Sequence, residues 1–348
     1  MTITIKSNPD GVSGAIQVNG NDAVVFGTQG ITQGAPFSFR NKIINGDMRI
    51  DQRNAGASVT PSASTYTLDR WRLGASVASK VSVQQSTVAP EGFKNSTLIT
   101  SLSAYTMGGT EEINFGQRIE GFNAADLGWG TANAKSITLS FWVRSSLTGL
   151  FSGVIKSFDS ARSYVFSYTI GAANTWEYKT ITVAGDTTGT WKTDNDIGII
   201  AQFCIASASL LNTAGVWYGT NTVGVTGTTQ LVATNGATFY ITGVQLEAGS
   251  VATPFEHRPY GAELALCQRY YEVIIASAQG AASTNMATTP KFVCAKRATP
   301  TVARTGSWNT GNEAGTLIST VTAAEFLVYN PTTNALAVGG VFTASAEL

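Results

Sequence analysis

The sequence predicts an all-β protein: an antiparallel β-sandwich of the jelly-roll type, with an N-terminal anchor, one short helix and a small C-terminal β domain. Three observations lead there. Between residues 41 and 260, apolar and polar side chains alternate over run after run, the period of a half-buried strand. Gly, Asn, Asp and Ser clusters separate those runs, as an antiparallel sheet requires. One segment near residue 265 has helical spacing, so nothing supplies the crossovers of a parallel sheet.

Residues 1–40 form a region of their own. Short apolar pairs, Ile3/Ile5, Ile16/Val18 and Val24/Phe26, alternate with the turn formers Asn8-Pro-Asp-Gly11 and Asn19-Gly-Asn-Asp22. Two or three small strands are expected, followed by a Gly-rich link from Gly27 to Gly34. Forty such residues cannot bury a core alone, so the segment is predicted to dock on a larger assembly.

The sandwich is expected over 41–260. Ile137, Leu139, Phe141 and Val143 share one face of a strand, and Thr138, Ser140, Trp142 and Arg144 share the other. Tyr164, Phe166, Tyr168 and Ile170 repeat the pattern, as do Ile197, Ile199, Ala201, Phe203 and Ile205. Between Ala237 and Glu247 the phase slips: Phe239 and Ile241 share a face with Val244 and Leu246 only if an extra residue enters near Thr242-Gly243. A β-bulge is predicted there.

A helix is predicted over Ala262–Tyr271, within a neck of 261–275. Leu264, Cys267 and Tyr271 fall on one stripe with Leu266 and Tyr270 beside it. So short a helix must pack on something, either the sandwich floor or the same helix in sister chains. Beyond it, 276–348 is expected as a β tip domain: a small-residue linker at Ala276–Ser283, then strands at Lys291–Arg297, Ala324–Tyr329 and Ala335–Phe342. Large apolar side chains are few there, and trimerisation would supply the missing burial.

Composition narrows the function. Charged residues make up 13% of the 348, about half of the roughly 25% usual for soluble domains. Lys+Arg and Asp+Glu are 22 each, for a net charge of zero. Such a chain has no electrostatic hold on nucleic acid or an anionic membrane, and low mutual repulsion suits an obligate oligomer. No stretch reads as a signal peptide or a membrane-spanning helix. Cys204, Cys267 and Cys294 have no zinc or disulfide spacing and are expected as free thiols.

Motifs for catalysis are missing. His257 is the one histidine, and no nucleophile elbow, zinc helix or phosphate loop occurs. Glu111, Glu112, Asp186 and Glu247 are carboxylates that glycoside hydrolysis could use only if two were held at a set separation. Asp194-Asn-Asp196 is a fragment of a calcium loop without its glycine or further acids and reads as a turn. The aromatics say more. Sugar rings stack their C–H faces on Trp and Tyr while their hydroxyls seek polar partners. Trp129 in a Gly-flanked loop, Trp142 on the polar face of its strand, Trp191, and Trp217-Tyr218 are the candidate glycan contacts.

Long ordered blocks carry a family resemblance. Asn41-Lys-Ile-Ile-Asn-Gly-Asp47, Tyr66-Thr-Leu-Asp-Arg-Trp71, Gly116-Gln-Arg-Ile-Glu-Gly121, Trp176-Glu-Tyr-Lys-Thr180 and Val244-Gln-Leu-Glu247, with Ala252-Thr-Pro-Phe-Glu-His-Arg-Pro-Tyr-Gly261 and Leu266-Cys-Gln-Arg-Tyr-Tyr271, resemble phage tail-fibre and receptor-binding proteins across about 41–275. The resemblance implies a carbohydrate-binding-module-like jelly roll in a homotrimeric, non-enzymatic adhesin. It implies a chain assembled in the host cytoplasm and carried on the virion, docked through 1–40 to tail, baseplate or capsid proteins. Host surface polysaccharide would be the receptor. Related modules often hold calcium through N-G-D-F-E and an aspartate before the last V-x-L. Here Met48-Arg49 and Thr242-Gly243 stand at those places, so no metal or cofactor is expected. Two rivals stay open: a structural virion component such as a capsid-decorating head fibre or tail adaptor, and a polysaccharide depolymerase.

Overall fold

A computed structural model describes residues 3–7, 14–18, 21–27, 30–33, 39–279, 286–306, 317–330 and 337–348. The chain divides into two compact units, Met1–Arg40 and Asn41–Leu348. The first is an antiparallel meander of β1 (Ile3–Ser7), β2 (Gly14–Val18), β3 (Asn21–Gly27) and β4 (Gly30–Gln33) in sequential order. The expected Gly-rich link therefore contains a strand, because Gly30–Gln33 turns back to pair with Val25–Gly27. The predicted turn at residues 8–11 lies outside the described residues.

The second unit opens with an irregular loop over residues 41–64. The sandwich strands follow as β5 (Thr65–Leu68), β6 (Trp71–Ala75), β7 (Val81–Ser86), β8 (Ser96–Ser101) and β9 (Glu112–Glu120). Next come β10 (Ile137–Ser145), β11 (Gly149–Lys156), β12 (Ser163–Ile170), β13 (Glu177–Val183) and β14 (Ile197–Ser207). The short β15 (Leu211–Asn212), β16 (Trp217–Tyr218) and β17 (Gly224–Val225) precede β18 (Thr238–Ala248). They form a five-stranded sheet, β13-β10-β18-β8-β7, and a seven-stranded sheet, β16-β12-β11-β14-β9-β6-β5. All pairings in both sheets are antiparallel.

The alternation explains how the sheets meet. Ile137, Leu139, Phe141 and Val143 point inward from β10, and Phe115, Phe166, Ile199 and Phe203 point inward from the other sheet, into one core cluster. Phe141 packs edge-on against Phe203 at 4.9 Å and Tyr168 at 5.0 Å. Truncating a ring buried this fully costs about 3–5 kcal/mol. The bulge is where the phase slip puts it. Ser140 pairs with Gln245 but Trp142 pairs with Thr242, so β18 has one extra residue, and Gly243 takes φ 60°.

The helix α1 spans Tyr260–Gln268, starting two residues earlier than predicted because Pro259 holds the extended conformation that starts it. Tyr271 belongs instead to the next strand. Cys267 and Tyr270 are buried against Ile44 and Ile50 of the opening loop, so the helix covers the sandwich's own floor.

The C-terminal part departs most from expectation. β19 (Tyr271–Gln279) runs straight through the predicted 275/276 boundary, and residues 276–279 are strand rather than linker. Glu272, Ile274 and Ala276 alternate inward there, and the small side chains sit opposite Gly339-Gly340. β20 (Met286–Thr288), β21 (Thr301–Gly306), β22 (Leu317–Ser319), β23 (Leu327–Asn330) and β24 (Ala337–Ser345) complete two three-stranded sheets, β19-β24-β21 and β20-β23-β22. Phe292, Phe326 and Phe342 build a small core between them. Residues 291–297 do not form the expected strand. Glu272 draws that segment in, accepting from the Val293 N–H and the buried Lys296 ammonium, and the bonds that would extend a ladder are diverted. Glu347 then bridges Arg53 and Arg70 of the sandwich, which ties the chain's last strand to the larger core.

Candidate functional site

The outward face of the five-stranded sheet carries an aromatic groove. On β10 the outward residues are Thr138, Ser140, Trp142 and Arg144. Antiparallel register places Trp142 directly opposite Tyr178 of β13, with ring centroids 5.4 Å apart. On the other side of Trp142 lies the bulge. A Cβ on Gly243 would come within 2.7 Å of Phe93 Cζ and 3.1 Å of Trp142 Cδ1. Glycine there therefore both accepts the left-handed backbone and leaves room for two rings.

The far wall is the exit loop after β18. Phe255 and His257 pack with Phe93 at 5.1 and 5.3 Å. Two buried side chains hold that loop. Glu247 accepts from the Thr253 backbone N–H at 2.9 Å and hydroxyl at 2.7 Å, and Gln245 accepts from the Glu256 N–H at 2.8 Å. The resulting cleft has a volume of about 500 Å³ and is lined by Glu91, Phe93, Ser140, Trp142, Tyr178 and Phe255, among others. Apolar ring faces beside a few polar groups are what stacking a sugar requires. Tyr178 is 43% exposed.

The other predicted contacts lie elsewhere. Trp129, Trp191 and Trp217 converge in a mutual edge-to-face triangle, with centroids 4.6, 5.5 and 5.7 Å apart. Each indole N–H is used internally: Trp129 donates to the Lys135 carbonyl, Trp191 to that of Thr188, and Trp217 to that of Ala184. The Trp129 ring, expected to be exposed, is only 7% so. Gly128 and Gly130, at φ 62° and 82°, turn the loop so that its ring swings into the core. Tyr218 donates its hydroxyl to the Thr213 carbonyl, closing its own loop. The triangle ties two loops to β16, and Trp142 is the predicted aromatic that faces the groove.

The carboxylates raised by the sequence are dispersed. Arg162 grips Asp186 with two bonds of 2.7 Å. Burial pushes the Asp186 carboxyl up, but the hydrogen bonds from Arg162 and Thr188 outweigh it and hold the group below its usual range. Glu111 accepts from the Tyr105 hydroxyl at 2.8 Å, and Glu247 holds the exit loop. Asp194 accepts from the Asp196 N–H across a bend, as a turn reading requires.

A protein cation serves the opening loop: Arg258 donates to the Ile43 and Asn41 carbonyls and to the Glu256 and Glu263 carboxylates. Asp47 is paired to Arg49 at 3.0 Å. Among the described residues, no three His, Cys, Asp or Glu side chains are grouped to hold a metal.

Tyr178, Phe93 and Phe255 were not among the residues singled out from the sequence. Tyr178 had a usable signal, since Trp142 and Tyr178 both lie on outward phases of their strands. Phe93 and Phe255 sit in loops, and only the fold brings them in.

No family model and no curated protein matches the chain. Among solved structures it is similar to the enzymatically active domain of tailspike protein 4 of bacteriophage CBA120, at 13% identity and a TM-score of 0.36. That match covers 60% of this chain and 22% of the tailspike chain, so this protein aligns with under a quarter of that domain. It is also similar to a family 61 carbohydrate-binding module solved with β-1,4-galactotriose (10% identity, TM-score 0.30, covering 61% of this chain and 100% of the module). The family 11 carbohydrate-binding module of a Clostridium thermocellum cellulase matches at 14% identity and a TM-score of 0.27, over 57% and 99% of the two chains.

Proposed function

We propose that this protein is a non-enzymatic, glycan-binding appendage of a phage particle, and that the Trp142–Tyr178 groove receives the sugar. The observation that carries the binding reading is the half-open aromatic cleft: two rings in register on a rigid sheet, a third ring brought beside them by the bulge, and polar groups at the rim. A site on strands holds its rings more firmly than one on loops. The phage reading rests on the ordered sequence blocks from 41 to 275. In this reading the protein is a homotrimer on the virion, the 1–40 meander docks to other virion proteins, and the receptor is a bacterial surface polysaccharide. Each groove binds weakly, and several copies act together through avidity.

Microscopy of gold-labelled antibody on intact particles tests the location. Label at the tail end supports an attachment role. Label spread over the capsid lattice supports the structural-component reading instead.

A further inference from the structure

The outward face of the seven-stranded sheet carries a second groove of opposite chemistry. Its volume is about 310 Å³, and Arg72, Asn114, Arg118, Lys156 and Gln202 line it together with Glu112. Register explains the shape. Arg72 of β6 pairs with Gly116 of β9, which pairs with Gln202 of β14. A Cβ on Gly116 would lie 2.2 Å from the Ala201 carbonyl oxygen, so the centre of the row has no side chain and forms a low floor. One step along, Arg118 pairs with Ile200, which pairs with Lys156.

The groups on this floor are not satisfied by one another. Lys156 is 6% exposed, yet its ammonium reaches just the Asn221 amide oxygen, at 3.2 Å, among the described hydrogen bonds. Burial, partly opposed by Glu112 and reinforced by Arg118 and Arg72, pulls the Lys156 ammonium down. Burial and Arg118 likewise pull Arg72 down. Arg118 uses one nitrogen on the Leu348 oxygen. Asn114, 4% exposed, and Gln202, 9% exposed, each leave a buried amide oxygen without a donor, as does one oxygen of Glu112. Three cations against one carboxylate call for an anion. The amides of Asn114 and Gln202 line the same groove, and a sugar hydroxyl can bond to the part of an amide that solvent reaches. An acidic sugar brings both an anion and hydroxyls, whereas a neutral sugar lacks the charge.

We propose that this groove binds an acidic saccharide, with its carboxylate held by Arg72 and Lys156 and its hydroxyls bonded to the amides of Asn114 and Gln202. The site is separate from the aromatic groove and does not depend on it.

Calorimetric titration of the full chain with galacturonate oligomers, and with the same oligomers methyl-esterified, tests this. The acid is expected to bind at least about tenfold more tightly than the ester, the ratio a charge-assisted contact gives. Its affinity should fall several-fold as salt is raised from about 50 to about 300 mM. Arg72→Gln should abolish the preference for the acid, and Lys156→Gln should do the same. Trp142→Ala should leave acid binding unchanged, which separates this site from the proposed glycan groove. Equal affinity for acid and ester, no binding of the acid, or an unaltered preference in Arg72→Gln would overturn the proposal.

Discussion

Trp142 and Tyr178 stand opposite each other on neighbouring strands, centroids 5.4 Å apart with planes inclined at 47°. The rings are tilted and do not stack face to face on each other. Their neighbours fix this arrangement. β13 sets Tyr178, and the bulge in β18 leaves the space that Phe93 enters from the loop before β8.

Gly243→Ala tests the bulge. Placing a Cβ at φ 60° costs about 1–2 kcal/mol, and the methyl must also displace the Phe93 ring. We expect a lower midpoint in urea denaturation together with weakened sugar binding, because one substitution both strains the backbone and fills the cleft. Unchanged stability would mean the strand does not make the bulge.

Arg258 is the internal cation that joins the opening loop, the exit loop and the helix. Replacing it with Met leaves Glu263 and Glu256 buried without their partner, and breaking a buried pair in this way costs about 3–5 kcal/mol. Chemical denaturation of Arg258→Met is expected to show a loss of that order. Arg258→Met/Glu263→Gln should recover part of it, since the stranded charge is gone. Added calcium should not restore the single variant.

Asp69 gives a pH signature. Burial raises its carboxyl from 3.8 to about 6, against the bonds it accepts from Gln52. Between those values the folded protein holds a proton that the unfolded chain has lost, so stability falls as pH rises from about 4 to about 6 and then levels off. The contribution is on the order of 3 kcal/mol. Asp47, also raised by burial, acts in the same direction, while Asp186, held low, loses its contribution only as pH falls below the ordinary carboxylate range. Asp69→Asn should flatten the fall between about pH 4 and 6 in denaturation midpoints, and the two proteins should converge toward the acid end. Parallel profiles would show that Asp69 does not hold the proton.

Much of the fold was legible because burial in a two-sheet sandwich imposes period two. The inward run Ile137–Val143 and the slip at Thr242-Gly243 follow from that alone. The start of the helix shifted because Pro259 decides it, where the apolar stripe suggested a later one. Ala276–Gln279 read as a linker since small side chains carry no hydrophobic signal, yet they suit a strand packed against Gly339-Gly340. The groove itself was half visible. Trp142 has an outward phase in its own strand, whereas its pairing with Tyr178 is a register between strands about 35 residues apart, and Phe93 and Phe255 arrive from loops. Trp129 shows the reverse case: flanking glycines suggested an exposed ring, and their left-handed turns direct it inward.

The central claim is that the outward aromatic face of the five-stranded sheet holds a surface sugar. Its most direct test is an array of bacterial capsular and lipopolysaccharide glycans probed with the wild-type protein and with Trp142→Ala/Tyr178→Ala at matched thermal stability. The account predicts that the wild type retains at least one neutral glycan and that the double variant binds it at least about tenfold more weakly, the loss expected when stacked rings are removed. Retention of the same glycan by the double variant, or no glycan held by the wild type, would contradict it.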